Sequence, residues 1–361
     1  MIGTLFYYIV FLLLTAFALI EKSFYDKNKV FIVTAFSAIL LILIAGLRGE
    51  NVARDYVNYL SYLDTFVSFS HYLSNPAYYD FNEPGIFLVA AFMQTFEISN
   101  VKFFFVVFAF IAVFIKIKAV IKTSTWIGLT IVLFFTNFFL IQEMTQIRGA
   151  IAVAFLLLSI PDIYHRNLYS FLLKVAVSMV FHYSSILIIP LYFLKPDTFS
   201  RQINSALLFG CIVLGLLNVT VFTLIDNLNL GVISLKLNKY YELLEAGYYT
   251  SINKFNALIL LRISIACFAI YYSVQLKEHS KYAYLILKLY ILSICSFYFF
   301  STVPAIAFRI SEMLGISEII LLPMLIYVVR EKSFAVGAVL SFALLNLIIY
   351  VQISKLVNPY F

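Results

Sequence analysis

Long apolar runs separated by short polar segments dominate the sequence. Twelve of these runs approach the span length of roughly 20 residues that a helix needs to cross a bilayer. They lie at about 4–21, 30–47, 101–118, 126–141, 147–160, 167–181, 183–194, 203–225, 256–275, 282–300, 313–329 and 334–352. A short run at 85–97 predicts a re-entrant or interfacial segment. We therefore expect an all-α, polytopic integral membrane protein with a single membrane domain over residues 1–361.

The composition excludes an ordinary soluble protein. Of the 361 residues, 63% are hydrophobic and 12% are charged, against roughly 45–50% and about 25% in soluble domains. The net charge of +7 does not indicate nucleic-acid binding, because the basic residues fall in short loops between apolar runs. The three cysteines, Cys211, Cys267 and Cys295, lie inside apolar runs without metal-ligand spacing and are expected to be packing residues. Neither a metal nor a cofactor is expected.

The distribution of Lys and Arg predicts the topology. Basic clusters occur at Lys22/Lys27/Lys29, Lys116/Lys118/Lys122, Arg166, Lys195/Arg201, Lys277/Lys281 and Arg330/Lys332. If all are cytoplasmic, the twelve runs alternate and both termini lie outside, with the first run read as a span rather than a cleavable signal. The outer loops are then 48–84, 97–101, 142–147, 181–184, 226–255 and 301–312, of which 48–84 and 226–255 are the largest.

Most of the chemically distinctive polar residues fall in these outer segments. A transporter would place such groups near the bilayer midplane instead. Arg48, Arg148 and Arg309 lie at the outer ends of apolar runs, where a planar guanidinium can bind phosphate oxygens. The alternative for each arginine is a snorkelling interfacial side chain. We expect an anionic, membrane-anchored substrate that is approached from outside.

Three outer residues are candidates for the catalytic base: Asp55, Glu83 and His182. A carboxylate needs only ordinary ionisation to accept a proton at neutral pH, which favours Asp55 or Glu83 and leaves His182 as a hydrogen-bonding group. Helix capping is the alternative for the two carboxylates, and a structural role is the alternative for His182. Additional candidates for substrate binding are Arg54, Tyr56, Tyr59, Gln142, Gln146, Glu312, Tyr240 and Tyr241. Among these, Glu312 follows Arg309 by three residues, so a helical salt bridge is equally consistent with the pair.

Several short motifs resemble those of the EpsG/Wzy family of polysaccharide repeat-unit polymerases. They are Gly46-Leu47-Arg48-Gly49, Asp55-Tyr56 with Tyr59, Glu83-Pro84, Gln146-Ile147-Arg148 and Phe181-His182-Tyr183-Ser184. Order and approximate spacing match over roughly residues 40–195. Similar family members usually carry a Val-Gly-x-Asp-Tyr core, which Ala53-Arg54-Asp55 replaces here without a glycine. This departure gives Arg54 an opportunity to contact substrate.

The resemblance implies a membrane-embedded glycosyltransferase of GT-C-like architecture in the bacterial cytoplasmic membrane, with its site facing the periplasm or exterior. Its expected substrates are glycans linked to undecaprenyl pyrophosphate within membrane lipid. The growing glycan would move to the non-reducing end of a new lipid-linked repeat unit by direct, inverting and metal-independent displacement. A chain-length regulator and a flippase of the same pathway are the expected partners. An O-antigen ligase and a lipid-linked oligosaccharide flippase remain alternatives.

Overall fold

The computed structural model describes residues 2–22, 27–80, 82–219, 242 and 252–360. Within this part of the chain, helices are the regular elements, together with one antiparallel bridge between Ala53 and Val357. The α-helices are α1 Ile2–Glu21, α2 Lys27–Gly46, α3 Tyr56–Asp64, α4 Phe69–Ser74, α5 Pro84–Thr95, α6 Val101–Thr123, α7 Ile127–Phe134, α8 Leu140–Gln142, α9 Ile147–His165, α10 Leu168–Phe181, α11 Arg201–Leu216, α12 Ala257–Tyr271, α13 Ser273–His279, α14 Ala283–Phe299, α15 Pro304–Gly315, α16 Glu318–Leu325 and α17 Lys332–Ile348.

Shorter helical segments complete the description. Pro76–Tyr79, Tyr183–Phe193 and Ile326–Val328 are 3₁₀ helices, and Phe135–Phe139 and Ile349–Ile353 are π-helical. Contacts within the chain define two compact units. The first comprises residues 1–194 and 322–361, and the second comprises residues 195–321. Because the chain divides into two compact units, the single membrane domain expected over residues 1–361 stays a prediction.

The helices confirm the prediction of an all-helical membrane protein, but fewer of them than the twelve predicted runs are long enough to cross a membrane. In the described residues, five helical segments are long and apolar enough to cross a membrane: Gly3–Glu21, Asn28–Gly46, Val101–Thr123, Ile147–His165 and Lys332–Ile353. Two bent pairs raise the number to seven if each pair forms one span: α12 with α13, bent by 78°, and α15 with α16, bent by 47°. Six other apolar helices are shorter than a full span. The twelve predicted spans therefore stay a prediction.

Two predicted outer loops are partly helical. The 48–84 loop contains α3, α4 and the 3₁₀ helix Pro76–Tyr79, and the short run 85–97 forms α5, a helix of 12 residues. The prediction of a loop over 301–312 is wrong from Pro304 onward, because α15 begins there. Proline suits the first position of a helix, since its fixed φ is helical and that position needs no amide donor.

The interpretation of Lys116 as part of a cytoplasmic basic cluster is also wrong. Its side chain is fully buried in α6 and forms an ion pair with Glu143, which the topology assigns to an outer loop. The lysine nitrogen also lies 2.7 Å from Oε1 of Gln142. A buried charge needs a partner of opposite sign, and Glu143 supplies it. Lys116 therefore carries no information about which side of the membrane the α6 terminus faces.

A close approach between α2 and α6 brings the loop after α2 against the aromatic core of the first unit. At Gly46, an added Cβ would lie 2.7 Å from the Cα of Val106, so only glycine allows this separation. Phe104, Phe105 and Phe108 of α6 are buried beside this contact. Residues that follow Gly46 are thereby held next to the helix that also packs against α9 and α5.

Three basic residues that lie within predicted apolar runs, Lys174, Arg262 and Lys288, all have partners. Lys174 forms an ion pair with Asp162, and Nε of Arg262 lies 3.1 Å from Oε2 of Glu318. Lys288 donates hydrogen bonds of 2.6 Å to the carbonyls of Lys195 and Thr198. These pairings satisfy the charges within the protein, as buried charges require.

Candidate active site

Glu83, Arg148 and His182 meet in one cluster, as their shared outer location predicts. Oε1 of Glu83 lies 2.9 Å from Nδ1 of His182, and Oε2 forms an ion pair with Nη1 of Arg148. The same arginine nitrogen donates a hydrogen bond of 3.0 Å to Oδ1 of Asn82. Side-chain exposure is 8% for Glu83 but 25% for Arg148 and 20% for His182. The carboxylate is therefore buried behind two cationic or polar groups that solvent and substrate can reach.

Three helix ends position this cluster. Glu83 is the N-cap residue of α5, Arg148 lies in the first turn of α9, and His182 is the C-cap residue of α10. Gly85 allows α5 and α10 to meet, because an added Cβ would lie 2.5 Å from Cδ1 of Phe181 and 2.9 Å from the carbonyl oxygen of Val180. The sequence Glu-Pro-Gly thus combines a carboxylate, a helix start and a close helix contact in three consecutive residues.

The electrostatics of Glu83 decide its chemical role. Burial raises the pKa of the carboxyl group, but the hydrogen bond with His182 and the positive charge of Arg148 outweigh burial and lower it from 4.5 to about 2. Glu83 is therefore ionised at neutral pH and accepts the Nδ1 proton of His182. This hydrogen bond leaves Nε2 of the neutral imidazole as a proton acceptor. The pair resembles, in its roles, the carboxylate-oriented histidine of nucleophilic enzymes.

Tyrosines surround the cluster. The fully buried Tyr59 hydrogen-bonds with Arg148 and lies within electrostatic range of Arg48. The guanidinium of Arg148 also stands over the ring of Tyr62, at 5.9 Å from its centroid. Tyr72 donates a hydrogen bond of 2.9 Å to the carbonyl of Asn82. Tyr59 thus links two of the arginines that the sequence proposes as an anion clamp.

Arg48 is buried much more deeply than an interfacial arginine. Only 1% of the residue is exposed, and its guanidinium stacks over Phe105 at 4.2 Å from the ring centroid. Nη1 donates to the carbonyl of Ala45. Burial lowers the pKa of Arg48 to about 10, against opposing contributions from Tyr59 and other neighbours. The side chain therefore remains charged at neutral pH, and the snorkelling interpretation does not fit its burial.

Other predicted residues of the 48–84 segment have structural contacts. Asp55 occupies the N-cap position of α3, and Tyr56 stacks on Phe105 with the ring centroids 4.4 Å apart. Nη2 of Arg54 donates hydrogen bonds of 3.0 Å to the carbonyls of Ser354 and Lys355. These contacts give Tyr56 and Arg54 structural roles, whereas the side chain of Asp55 makes no capping hydrogen bond; the catalytic role of Asp55 and the substrate-binding roles of Arg54 and Tyr56 stay predictions.

The remaining candidates are divided between two environments. Gln142 is buried and accepts the hydrogen bond from Lys116, whereas Gln146 is half-buried at the N-cap of α9. Arg309 and Glu312 belong to α15 of the second unit, where Arg309 is exposed and Glu312 is half-buried. Tyr240, Tyr241 and most of the 226–255 loop lie outside the described residues. The role of these two tyrosines in substrate binding therefore stays a prediction.

Two parts of this arrangement were missed in the sequence. Asn82 is not among the predicted site residues, although its side chain accepts a hydrogen bond from Arg148 and its backbone carbonyl accepts one from Tyr72. Glu143 lies among the glutamines of a polar segment, and its pairing with Lys116 was not foreseen. Lys116 belongs to a lysine cluster at the end of an apolar run, so no sequence signal separated it from Lys118 and Lys122.

Comparisons with known proteins identify the family of this chain. The model of the EpsG family matches residues 29–361, which is nearly the whole chain. The chain belongs to the EpsG family. It is 27% identical over 186 residues to the amylovoran biosynthesis protein AmsC of Erwinia amylovora, a match that covers 49% of each chain. The match thus spans about half the length of that curated relative, and no solved structure matches this EpsG-family chain.

The family match and the apolar helices together establish an EpsG-family membrane protein. The family matches confirm the resemblance that the motifs from Gly46 to Ser184 indicate. Within the described residues of the first unit, the Glu83–Arg148–His182 cluster combines an oriented proton acceptor with a cation at the surface, which is the pair of functions a transfer to a sugar hydroxyl needs.

Proposed function

We propose that this protein polymerises lipid-linked oligosaccharide repeat units. It would transfer the growing glycan from undecaprenyl pyrophosphate to the non-reducing end of a new undecaprenyl-pyrophosphate-linked unit. The observation that carries the proposal is the carboxylate of Glu83, bonded at once to His182 and Arg148. Family membership supports the polymerase class. The cluster supports the chemistry, because it offers one proton acceptor and one cation within a single site.

His182 is the proposed catalytic base. A general base works best when its pKa lies near the operating pH, and the pKa of Glu83, at about 2, is far below neutrality. Glu83 is thus a weak base in this arrangement, but a strong acceptor for the Nδ1 proton of His182. Nε2 of the histidine then faces the acceptor sugar. This assignment replaces the preference for a carboxylate base that residue types alone favour.

The transfer step would proceed by direct displacement. Nε2 of His182 takes the proton from a hydroxyl at the non-reducing end of the acceptor. The hydroxyl oxygen forms a bond with the anomeric carbon of the donor glycan, and the bond from that carbon to the pyrophosphate oxygen breaks. The electron pair of the broken bond leaves with the lipid pyrophosphate, and the anomeric configuration inverts. The charged imidazole of His182 is stabilised by Glu83 until it releases its proton to solvent.

The leaving group requires positive charge. Arg48 and Arg148 of the first unit are the proposed contributors, because a guanidinium binds two phosphate oxygens at once; the role of Arg309 stays a prediction. The charge of Arg148 is partly matched by Glu83, while its side chain is still 25% exposed. Arg309 is exposed on α15 of the second unit. Stabilising the developing charge on pyrophosphate, and holding the two sugars in line, would supply most of the catalysis.

The proposed setting is the bacterial cytoplasmic membrane. Twelve spans, a GT-C-like architecture and a site facing the periplasm or exterior are the detailed form of this proposal. A flippase and a chain-length regulator would act before and beside the polymerase. The outward direction is supported by the position of the cluster, which joins Glu83 of the 48–84 loop and His182 of the 181–184 turn, both placed outside by the positive-inside rule, with Arg148 at the start of α9.

The polymerase and ligase alternatives differ in the glycan that accumulates without the protein. Loss of a polymerase leaves single repeat units on lipid, whereas loss of a ligase leaves long unligated chains. The test is a deletion strain analysed for lipid-linked glycans, followed by complementation with the wild-type gene and with His182→Ala. We expect single lipid-linked units in the deletion strain and in the variant. Long lipid-linked chains in either strain would contradict the proposal.

A further inference from the structure

Arg48 has hydrogen-bonding capacity that the described protein does not use. The residue is 1% exposed, and no described residue accepts a hydrogen bond from its Nε or Nη2. These two nitrogens form one edge of the guanidinium, and their N–H groups point in the same direction. That edge is the fork that binds two oxygens of a phosphate or carboxylate. A buried cation with an empty fork is costly, which points to an anionic ligand.

The chemistry of this edge differs from that of Arg148. Arg148 already bonds a carboxylate and an amide oxygen through Nη1. Arg48 instead bonds one backbone carbonyl, and its nearest aromatic neighbours, Phe105 and Tyr56, lie at 4.2 and 6.0 Å from ring centroid to guanidinium. Aromatic faces attract a cation but supply no acceptor for a planar fork. Within the described residues, Arg48 therefore has no carboxylate within hydrogen-bonding distance, although Asp55 lies within electrostatic range.

The segment 354–360, which we call the strap, is attached to the loop that carries Arg48. Val357 forms the antiparallel bridge with Ala53. The backbone amide of Asn358 donates 2.9 Å to the carbonyl of Val52, and its side-chain amide donates 2.6 Å to the carbonyl of Asn51. One face of the loop after Arg48 is thus paired with the strap rather than with solvent.

The far end of the strap reaches the helices on either side of Arg48. The hydroxyl of Tyr360 donates 2.8 Å to the carbonyl of Ile44, its amide donates 3.2 Å to the carbonyl of Gly3, and its ring stacks on Phe6 at 4.5 Å. Tyr360 also lies within electrostatic range of Arg48. These anchors are mostly single hydrogen bonds to backbone carbonyls, and they can be exchanged for water. Val357, at 2% exposure, is the only fully buried side chain among the strap residues that the structure describes.

We propose that Arg48 is the phosphate-binding group of the proposed site, that the strap covers it, and that the strap lifts to admit the phosphate. The ligand is the phosphate or pyrophosphate headgroup of a lipid, because Arg48 follows α2 at the end of an apolar span. The lipid identity rests on the proposed function, whereas the anion site rests on the unpaired edge of the guanidinium. Binding requires the open strap, so the apparent affinity falls with the fraction of closed molecules.

A disulfide between positions 53 and 357 tests the strap. Paired residues of an antiparallel bridge have Cα atoms about 4.5–5.5 Å apart, which suits a disulfide. Ala53→Cys and Val357→Cys are combined in a chain whose three native cysteines are replaced, and the purified protein is measured for binding of farnesyl pyrophosphate. We expect oxidation to weaken binding by about tenfold or more, and reduction to restore it. The single variant Val357→Cys, oxidised identically, should bind normally. Equal binding by the locked and reduced proteins would overturn the strap.

The site itself is tested with two variants, Arg48→Gln and Arg48→Lys. If Arg48→Gln fails to insert into the membrane, Arg48→Lys, which keeps the charge, provides the test. Both should lose binding of farnesyl pyrophosphate, since neither keeps the fork; unchanged binding in either inserted variant would refute the site. Inorganic pyrophosphate should compete about tenfold less well than farnesyl pyrophosphate, because it lacks the apolar chain. Equal competition would refute the lipid assignment. Polymer synthesis is measured separately, so Arg48-dependent binding without polymerisation would refute the proposed function and leave this inference standing.

Discussion

Replacing Glu83 with glutamine removes one charge and keeps the shape of the side chain. The pKa of Glu83, lowered from 4.5 to about 2, corresponds to about 3 kcal/mol of preferential stabilisation of the ionised carboxylate by its surroundings. If the same interaction stabilises the protonated His182 during transfer, its loss reduces the rate by about 10²-fold. The amide oxygen can still accept the Nδ1 proton, so the histidine remains partly oriented. Glu83→Gln should therefore be slow but still able to bind substrate.

The lowered pKa of Glu83 also determines how stability and reaction rate depend on pH. Because the pKa of Glu83 is lowered on folding, its pairing stabilises the protein fully above 4.5, and this stabilisation is lost as the pH falls towards 2. Protonation of Glu83 should therefore contribute no limb to a rate profile between pH 5 and pH 8. Glu83→Gln should lower the rate at every pH in that range. A rate equal to that of wild type at any pH in the range would contradict the orienting role.

The assay uses purified protein in lipid nanodiscs with a lipid-linked repeat unit. Chain length is followed by gel electrophoresis, and substrate binding is measured separately. Asp64→Asn is the matched control, because Asp64 is an exposed carboxylate on the same outer segment. We expect the control to polymerise normally. A Glu83→Gln protein within about threefold of wild type would refute the role of Glu83, given the 10²–10⁴-fold range of acid–base catalysis.

Three further predictions address the fold. Gly85→Ala should reduce the polymerisation rate by about 10²-fold by displacing the end of α10, whereas Gly210→Ala, whose Cβ would meet nothing within 4 Å, should have no effect in the same assay. Lys116→Met should destabilise the protein by about 3–5 kcal/mol because Glu143 loses its partner, and adding Glu143→Gln should recover part of that loss in thermal unfolding. A cysteine at position 118 should react with reagents from the cytoplasmic side; labelling from outside would invert the second half of the topology.

Much of the fold and of the site's composition could be predicted from the sequence. Apolar run lengths indicate membrane helices because the hydrocarbon core requires them, and the α2, α6, α9 and α17 segments correspond to predicted runs. Glu83, Arg148 and His182 were expected on one face because each follows or precedes an apolar run on the same predicted side. What they share is depth in the membrane, and depth can be read from hydropathy and charge.

Which atoms meet could not be predicted, because contact depends on helix packing. His182 comes within reach of Glu83 because Gly85 lets α5 approach α10. The prediction that Lys116 lies in a cytoplasmic cluster was wrong for a related reason. A lysine near the end of an apolar run has the same sequence signature whether it reaches the cytoplasm or turns inward to an acid, and the acid here lies 27 residues away. Charge counts assign sides only when the charges are solvated.

Arg48 and Arg148 show why residue type at a given depth does not determine a role. Both are arginines that adjoin apolar runs on the same predicted face, and both contact Tyr59 electrostatically. Arg148 pairs with Glu83, so its charge is used to hold the carboxylate that orients His182. Arg48 pairs with no described carboxylate within hydrogen-bonding distance, and two of its nitrogens stay unbonded. The unbonded edge of Arg48 can therefore take an anion, and the phosphate of the substrate is the group in the proposed reaction that can provide it.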